Sequence, residues 1–128
     1  MMTTRTLVVL SSATEMATGL ALIALPGLVA RALLGADLSA PGIAVARVAG
    51  LGLLSLGLAC WPGQHDITPH TIRALFIYNL LAALYLGYLR VGGGFVSYLL
   101  WPACVLHAVL TILFAVQNRR GVRPGYLG

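Results

Sequence analysis

The sequence predicts an all-α fold, an integral membrane bundle of four helices joined by short loops. Two observations predict it. Hydrophobic residues make up 59% of the 128 residues and charged residues only 9%, whereas an ordinary soluble domain is about 45–50% apolar and about 25% charged. Four apolar segments are each long enough to cross a hydrocarbon core of about 30 Å, which needs roughly 20 helical residues. The composition excludes an ordinary soluble enzyme, a disordered segment and a disulfide-stapled secreted domain, so we expect residues 1–128 to form a single transmembrane domain.

The first two predicted spans end at Pro-Gly pairs, which do not continue a helix. The first covers about residues 7–25 and stops before Pro26-Gly27. We interpret it as a retained helix and not as a cleaved signal peptide, because no small-residue cleavage site follows a compact apolar region. The second covers about residues 42–61, with Pro41 suited to its first turn and Pro62-Gly63 at its end.

The third predicted span covers about residues 69–89, with Thr68 as its N-cap. The fourth covers about residues 95–117 and is entered through the three glycines at 92–94. The apolar segment 28–34 is too short to cross the bilayer, so we expect it to lie along the membrane interface. Because the loops are short, neighbouring spans should be antiparallel.

The arginines predict the orientation of the bundle. All eight basic residues are arginines, and with three acidic residues they give a net charge of +5. An even number of spans places both termini on one side. That side carries Arg5, Arg73, Arg119, Arg120 and Arg123, and the other side carries Arg31 and Arg90. The positive-inside rule therefore predicts cytoplasmic termini and a multi-pass protein of the bacterial inner membrane. The arginines form no basic stripe interleaved with aromatic residues, so we expect no nucleic-acid partner.

One strongly polar residue interrupts each predicted span: Glu15, Arg47, Asn79 and His107, in chain order. A charge at the bilayer centre costs about 2.5–3.5 kcal/mol on insertion scales, so such residues face the bundle interior and pair with one another. We expect Glu15 and Arg47 to form an ion pair. Asn79 and His107 should supply hydrogen bonds to it.

Tyr78 and Thr111 are candidate neighbours in this polar cluster. Tyr78 precedes Asn79, and Thr111 shares a helix face with His107 at the i, i+4 spacing. Three interpretations stay open. The cluster holds the helices in register, it binds a ligand or moves a proton, or it contacts a partner subunit.

Small residues at helical spacing predict close packing inside the bundle. They are Ala46, Gly50 and Gly57 in the second span, and Ala13, Ala17 and Ala21 in the first.

The residue types present limit cofactor chemistry. Only His107 lies deep inside a predicted span, because His70 is at the very start of the third, so a haem held by two histidines has no second ligand at matching depth. No set of cysteines, histidines or carboxylates has the spacing of metal ligands. A quinone or a lipid is the class of cofactor or ligand that the sequence allows.

Five short motifs carry a resemblance that covers nearly the whole chain. They are Thr14-Glu15-Met16-Ala17, Pro26-Gly27-Leu28-Val29, Arg47-Val48-Ala49-Gly50, Tyr78-Asn79 and Trp101-Pro102. With them the chain resembles the small bacterial four-helix membrane proteins called DoxX-like, which include a domain family of unknown function. The resemblance implies a compact bundle with a lipophilic partner, because some of the wider group are described as subunits of quinone-linked membrane oxidoreductases. It supplies no catalytic residue.

The sequence therefore predicts a small accessory or binding protein. It would be a subunit of a larger membrane complex or a binder of a lipophilic molecule such as a quinone. Its expected partners are the lipid bilayer, other membrane subunits and further copies of the chain.

Two alternative functions stay open. Small multidrug transporters are similar in length, in helix number and in a membrane-embedded Glu of the first helix, which makes Glu15 a candidate for proton-coupled transport. Arg47 would tend to neutralise it. A membrane enzyme that uses His107 as a proton carrier on a lipid-phase substrate is the other alternative, although no second catalytic group is evident.

Overall fold

A computed structural model describes residues 2–63 and 67–121 of the chain. This part of the chain contains helices and no strand. The helices are α1 (Thr4–Ala24), α2 (Pro26–Leu34), α3 (Ala40–Cys60), α4 (Pro69–Val91) and α5 (Leu100–Gly121). Within the described residues, α1, α3, α4 and α5 are each long and apolar enough to cross a membrane. The predicted all-α architecture with four candidate spans is confirmed. Arg123, which contributes to the predicted orientation, lies outside the described residues.

Three of the helices begin at hydroxyl N-caps. The side chains of Thr3, Ser39 and Thr68 each accept a hydrogen bond from the backbone amide three residues further on. Such caps satisfy amide groups that the first turn of a helix leaves without an intrahelical partner. The predicted cap at Thr68 is confirmed. The other two caps place the starts of α1 and α3 before the predicted positions at residues 7 and 42.

The start of the fourth span, predicted at about residue 95, is wrong, because α5 begins at Leu100. The Ser97 hydroxyl donates a hydrogen bond to the carbonyl oxygen of Ala32 in α2 and accepts one from the Leu99 amide. Because of these bonds, the segment from Gly92 to Leu99 contacts α2 and does not form the first turn of α5.

The predicted interfacial segment 28–34 forms the larger part of α2, which begins at Pro26 and ends at Gly35. Gly35 has a φ of 68° and donates its amide to the carbonyl of Arg31 over 2.9 Å, the usual glycine termination of a helix. A Cβ atom at residue 35 would lie 2.6 Å from the carbonyl oxygen of Val96. Glycine therefore lets the end of α2 dock on the segment before α5.

An exposed ion pair between Arg31 and Asp37 lies beside this turn. The hydrogen bond that Arg31 donates to Asp37, together with the negative charge of Asp37, raises the pKa of the Arg31 guanidinium. Because both side chains are largely solvated, the pair contributes little to stability.

The bundle consists of two antiparallel helix pairs, α1 with α3 and α4 with α5, which contact each other much less than the helices within each pair do. Glycines set the spacing of the first pair: a Cβ atom on Gly19 or on Gly50 would lie 2.7 Å from the other residue's carbonyl oxygen. Gly57 makes a similarly close contact with α1. The predicted stripe is thus confirmed at Gly50 and Gly57. In α1 the contact residue is Gly19, whereas Ala17 and Ala21 face a cleft described below.

The two pairs converge at one end of the bundle, which we call the closed end. Its buried core consists of Leu7, Val8, Cys60, Leu75, Leu110 and Phe114. Thr4 Oγ1 donates to Gln117 Oε1 over 3.2 Å, and Arg5 Nη2 donates to the carbonyl of Gly63 over 2.8 Å. These bonds place the start of α1 and the end of α5 at the same end, as an even number of spans requires. That this end is cytoplasmic stays a prediction.

Candidate functional site

A cleft of about 1160 Å³ separates the two helix pairs beyond the closed end. All five helices contribute to its walls, which are mostly leucine and alanine side chains, and α2 lies along it with Leu28, Val29, Ala32 and Leu33. Several wall residues keep large exposed surfaces, among them Leu81 at 60% and Leu106 at 43%. The cleft is therefore open to the surroundings of the bundle, which are acyl chains if the helices cross a bilayer.

The polar side chains of the cleft wall are concentrated at one end, which we call the polar end. It contains Thr14, Thr18, Tyr78 and His107, whereas the fifth polar side chain of the wall, Tyr85, lies two turns further along α4 and is 62% exposed. His107 lies seven residues after the start of α5 at Leu100, about 10 Å along the helix axis at 1.5 Å per residue. The polar end is thus near the middle of the candidate span Leu100–Arg119, at a depth where bilayer lipids offer only hydrocarbon.

A buried amide connects three helices behind the polar end. Asn79 has no exposed surface. Its Nδ2 atom donates to the carbonyl of Leu75 over 2.8 Å and to Ser11 Oγ of α1 over 3.0 Å. Its Oδ1 atom lies 2.8 Å from His107 Nδ1 of α5. The structure therefore brings Asn79 and His107 into one cluster, as the sequence predicts, but they bond to each other and not to a pair of Glu15 with Arg47.

Glu15 lies beside this network and is only 1% exposed. The Tyr78 hydroxyl faces the carboxyl group of Glu15. Tyr78 also packs edge-on against His107, with ring centroids 5.8 Å apart. Glu15 Oε1 has no hydrogen-bond partner among the described residues, and neither has the buried hydroxyl of Ser12. Glu15 does not line the cleft, and Tyr78 is the side chain that connects the two.

The predicted ion pair between Glu15 and Arg47 is wrong. Arg47 is exposed, and its Nε atom donates to the carbonyl of Ile23 over 3.3 Å. Since α1 and α3 are antiparallel, Arg47 lies level with Ile23, and that residue is about 12 Å along α1 from Glu15 at 1.5 Å per residue. Because α1 ends at Ala24, the carbonyl of Ile23 is one of the last-turn carbonyls that a helix leaves without an intrahelical partner, and it is free to accept from Arg47.

Thr111 lies beside His107 on α5, but its hydroxyl donates to the backbone carbonyl of His107 over 2.7 Å and not to the side-chain network. Sequence reasoning also missed two members of the site, Ser11 and Ser12. They precede Glu15 by four and three residues, so the spacing of neighbours on one helix face could have identified them.

Comparison of the chain with protein-family models, with characterised proteins and with solved structures gives no match. The resemblance to DoxX-like proteins stays a prediction.

Proposed function

We propose that the protein binds a lipophilic small molecule in the cleft between its two helix pairs. The supporting observation is the cleft itself, with a volume of about 1160 Å³, apolar walls and polar groups gathered at one end. Ligand sites typically have volumes of roughly 300–1,000 Å³ and combine apolar walls with a small number of orienting polar groups. The cleft is somewhat larger than that range, which suits a molecule with a long apolar part.

The depth of the polar end in the membrane favours a specific ligand, and not an ordinary bilayer lipid, as the molecule that fills the cleft. A lipid acyl chain can fill an apolar wall, but it offers no hydrogen-bond partner at mid-membrane. Polar groups at that depth are costly unless they are satisfied. A lipophile can place its polar head at Tyr78 and His107 and direct its tail towards α2. The head then forms hydrogen bonds at the polar end, and the tail contacts the apolar walls.

We extend the proposal to the setting of the protein. It acts in the bacterial inner membrane, alone or as an accessory subunit of a larger membrane complex, and a quinone-type molecule is a suitable ligand. Such molecules combine a polar ring with a long apolar tail, which matches the distribution of polar and apolar residues along the cleft.

Native mass spectrometry of protein extracted gently from its own membrane tests this function. The cleft variant is Ala82→Phe, because Ala82 lines the cleft. The matched control is Ala74→Phe on the same helix, at an exposed position outside it. We expect wild type and Ala74→Phe to retain a defined small-molecule mass, alone or within a larger stoichiometric assembly, and Ala82→Phe to lose it. Retention by Ala82→Phe, or a bundle bare in all three samples, contradicts the proposal.

A specific observation also favours a second function, proton-coupled transport. Glu15 is buried and has no cationic partner among the described residues, because Arg47 lies elsewhere. The transporter hypothesis predicts that a lipophilic cation such as tetraphenylphosphonium releases protons from the purified protein, and that Glu15→Gln abolishes the release. The binding function predicts that Glu15→Gln retains the small-molecule mass and that the cation releases no protons.

A further inference from the structure

We infer that the cleft selects a lipophile with a hydroxyl head group, because His107 presents its Nε2 atom to the cleft as a hydrogen-bond acceptor. This rests on the proposed function and specifies the chemistry of the ligand. The suitable classes are phenols, quinols and long-chain alcohols. Carbonyl and ether head groups, which only accept, fit this position less well, so the reduced quinol form of a quinone-type ligand is the better match.

The orientation of the Asn79 amide is the first step. One end of this amide lies 2.8 Å from the carbonyl oxygen of Leu75. A backbone carbonyl only accepts hydrogen bonds, so the amide nitrogen must be at that end. The amide oxygen is then the atom that lies 2.8 Å from His107 Nδ1.

The orientation of that amide fixes the tautomer of His107. In an uncharged imidazole one ring nitrogen donates and the other accepts. Because Asn79 Oδ1 accepts, Nδ1 carries the hydrogen and donates it. The lone pair of the imidazole is therefore on Nε2. The partner of Nδ1 is an amide oxygen and not a carboxylate, so this contact brings no negative charge that would stabilise the imidazolium form.

The Nε2 atom is open to the cleft. His107 lines the cleft wall, and within the described part of the chain its side chain bonds only through Nδ1. Nε2 is not among the buried polar atoms that lack a partner. It is an unpaired acceptor with accessible surface, and in the bilayer it meets no water to satisfy it.

The neighbouring hydroxyl groups do not reverse this preference. The Thr14 hydroxyl donates to the carbonyl of Leu10 over 2.8 Å, and the Tyr78 hydroxyl faces the carboxyl group of Glu15, which can accept its hydrogen. Both hydroxyl hydrogens near His107 thus have an acceptor within the protein. The hydroxyl of Thr18 can donate as well as accept, so it serves either kind of head group. The selective group at the polar end is the imidazole.

A matched pair of probes tests the inference on the purified full chain. Dodecylphenol carries a hydroxyl, and its methyl ether dodecylanisole has the same ring and tail without the donor. We expect wild type to bind the phenol about tenfold more tightly, the worth of one hydrogen bond at a partly shielded site. The variant His107→Phe keeps an aromatic ring and should bind both probes alike. The control His70→Phe, at an exposed position in α4, should keep the tenfold preference.

The outcomes separate this inference from the proposed function. Equal binding of the two probes to wild type overturns the hydroxyl preference and leaves the lipophile-binding function standing. Binding of neither probe contradicts both. Should His107→Phe fail to fold, NMR of the imidazole nitrogens in wild type replaces it. We expect hydrogen on Nδ1 and an Nε2 resonance that shifts with dodecylphenol and not with dodecylanisole, and hydrogen on Nε2 overturns the inference.

Discussion

The Oδ1 atom of Asn79 lies 2.8 Å from the Nδ1 atom of His107, and this contact joins α4 to α5 directly behind the cleft. The same amide also bonds Ser11 of α1. One side chain thereby ties both helix pairs together at the level where the cleft ends. Cross-contacts between the pairs are otherwise sparse away from the closed end, so this amide determines the separation of the pairs at the polar end.

Replacement of Asn79 should therefore destabilise the bundle. We expect Asn79→Leu to lower the free energy of unfolding by about 1–2 kcal/mol, since it removes bonds to two other helices and leaves the buried Nδ1 donor of His107 without its acceptor. Asn118→Leu is the matched control, because Asn118 is exposed near the end of α5. The free energy of unfolding of both variants can be measured by titrating the detergent-solubilised protein with a denaturing detergent. Equal losses of unfolding free energy for the two variants would mean that the hydrogen bonds of Asn79 do not stabilise the bundle.

A double-mutant cycle on Glu15 and Arg47 should show no coupling. Glu15→Gln keeps an oxygen that can accept from Tyr78 and removes a buried carboxyl group that has no cationic partner among the described residues, so we expect stability to be unchanged or higher. Arg47→Leu removes only an exposed bond to the Ile23 carbonyl. The effects of the two changes on the free energy of unfolding, measured by thermal unfolding, should be additive within about 0.5 kcal/mol. A coupling energy of about 3 kcal/mol or more, roughly the cost of breaking a buried ion pair on one side, would instead support an ion pair between the two residues.

The contrast between Arg47 and Thr68 explains what the sequence can predict. Thr68 caps α4 through a hydrogen bond to a residue close to it in the chain, and the Pro-Gly pairs end α1 and α3 through equally local effects. The bounds of the spans can therefore be predicted from the sequence. The sequence predicts that Arg47 lies beside Glu15 only because both are charged residues inside predicted spans. The vertical alignment of α1 and α3 depends on where Gly19 meets Gly50. That alignment is a tertiary property, and no local pattern specifies it.

The cleft could not be predicted for the same reason. Its walls are leucines and alanines that look like any other lipid-facing or core residue in the sequence, and only the divergence of the two helix pairs distinguishes them. The polar residues were more informative. The cost of burying a lone polar group in a membrane predicts that Asn79 and His107 belong to one polar cluster. The structure brings them together, bonded to each other and not to an ion pair.

The close approach of α1 and α3 gives a prediction with a control on the same helix. A Cβ atom on Gly50 would lie 2.7 Å from the carbonyl oxygen of Gly19, a backbone atom that cannot move aside alone. A Cβ atom on Gly52 would meet nothing within 4 Å. We expect Gly50→Ala to destabilise the protein by about 1–3 kcal/mol through overpacking. Gly52→Ala should stabilise it by up to about 1 kcal/mol through helix propensity. Shifts of thermal unfolding in the same direction for both variants would contradict the packing of this pair.

The docking of α2 on the segment before α5 gives the last prediction. Gly35 has a φ of 68° and lies so close to Val96 that a Cβ atom would approach its carbonyl oxygen to 2.6 Å. Gly35→Ala should therefore loosen the end of α2, since the left-handed conformation alone costs a residue with a Cβ atom about 1–2 kcal/mol. Gly27→Ala is the control, because residue 27 is in the same helix and has open space around it.

Hydrogen exchange in lipid nanodiscs measures this loosening. We expect the amides of α2 in Gly35→Ala to exchange about tenfold faster than in wild type, as a loss of about 1.4 kcal/mol in local stability requires. Amides of α4 should not change, because α4 makes no substantial contact with α2. Since α2 forms one wall of the cleft, a bound dodecylphenol should also dissociate faster from this variant. Unchanged exchange in α2 would show that its position does not depend on the turn at Gly35.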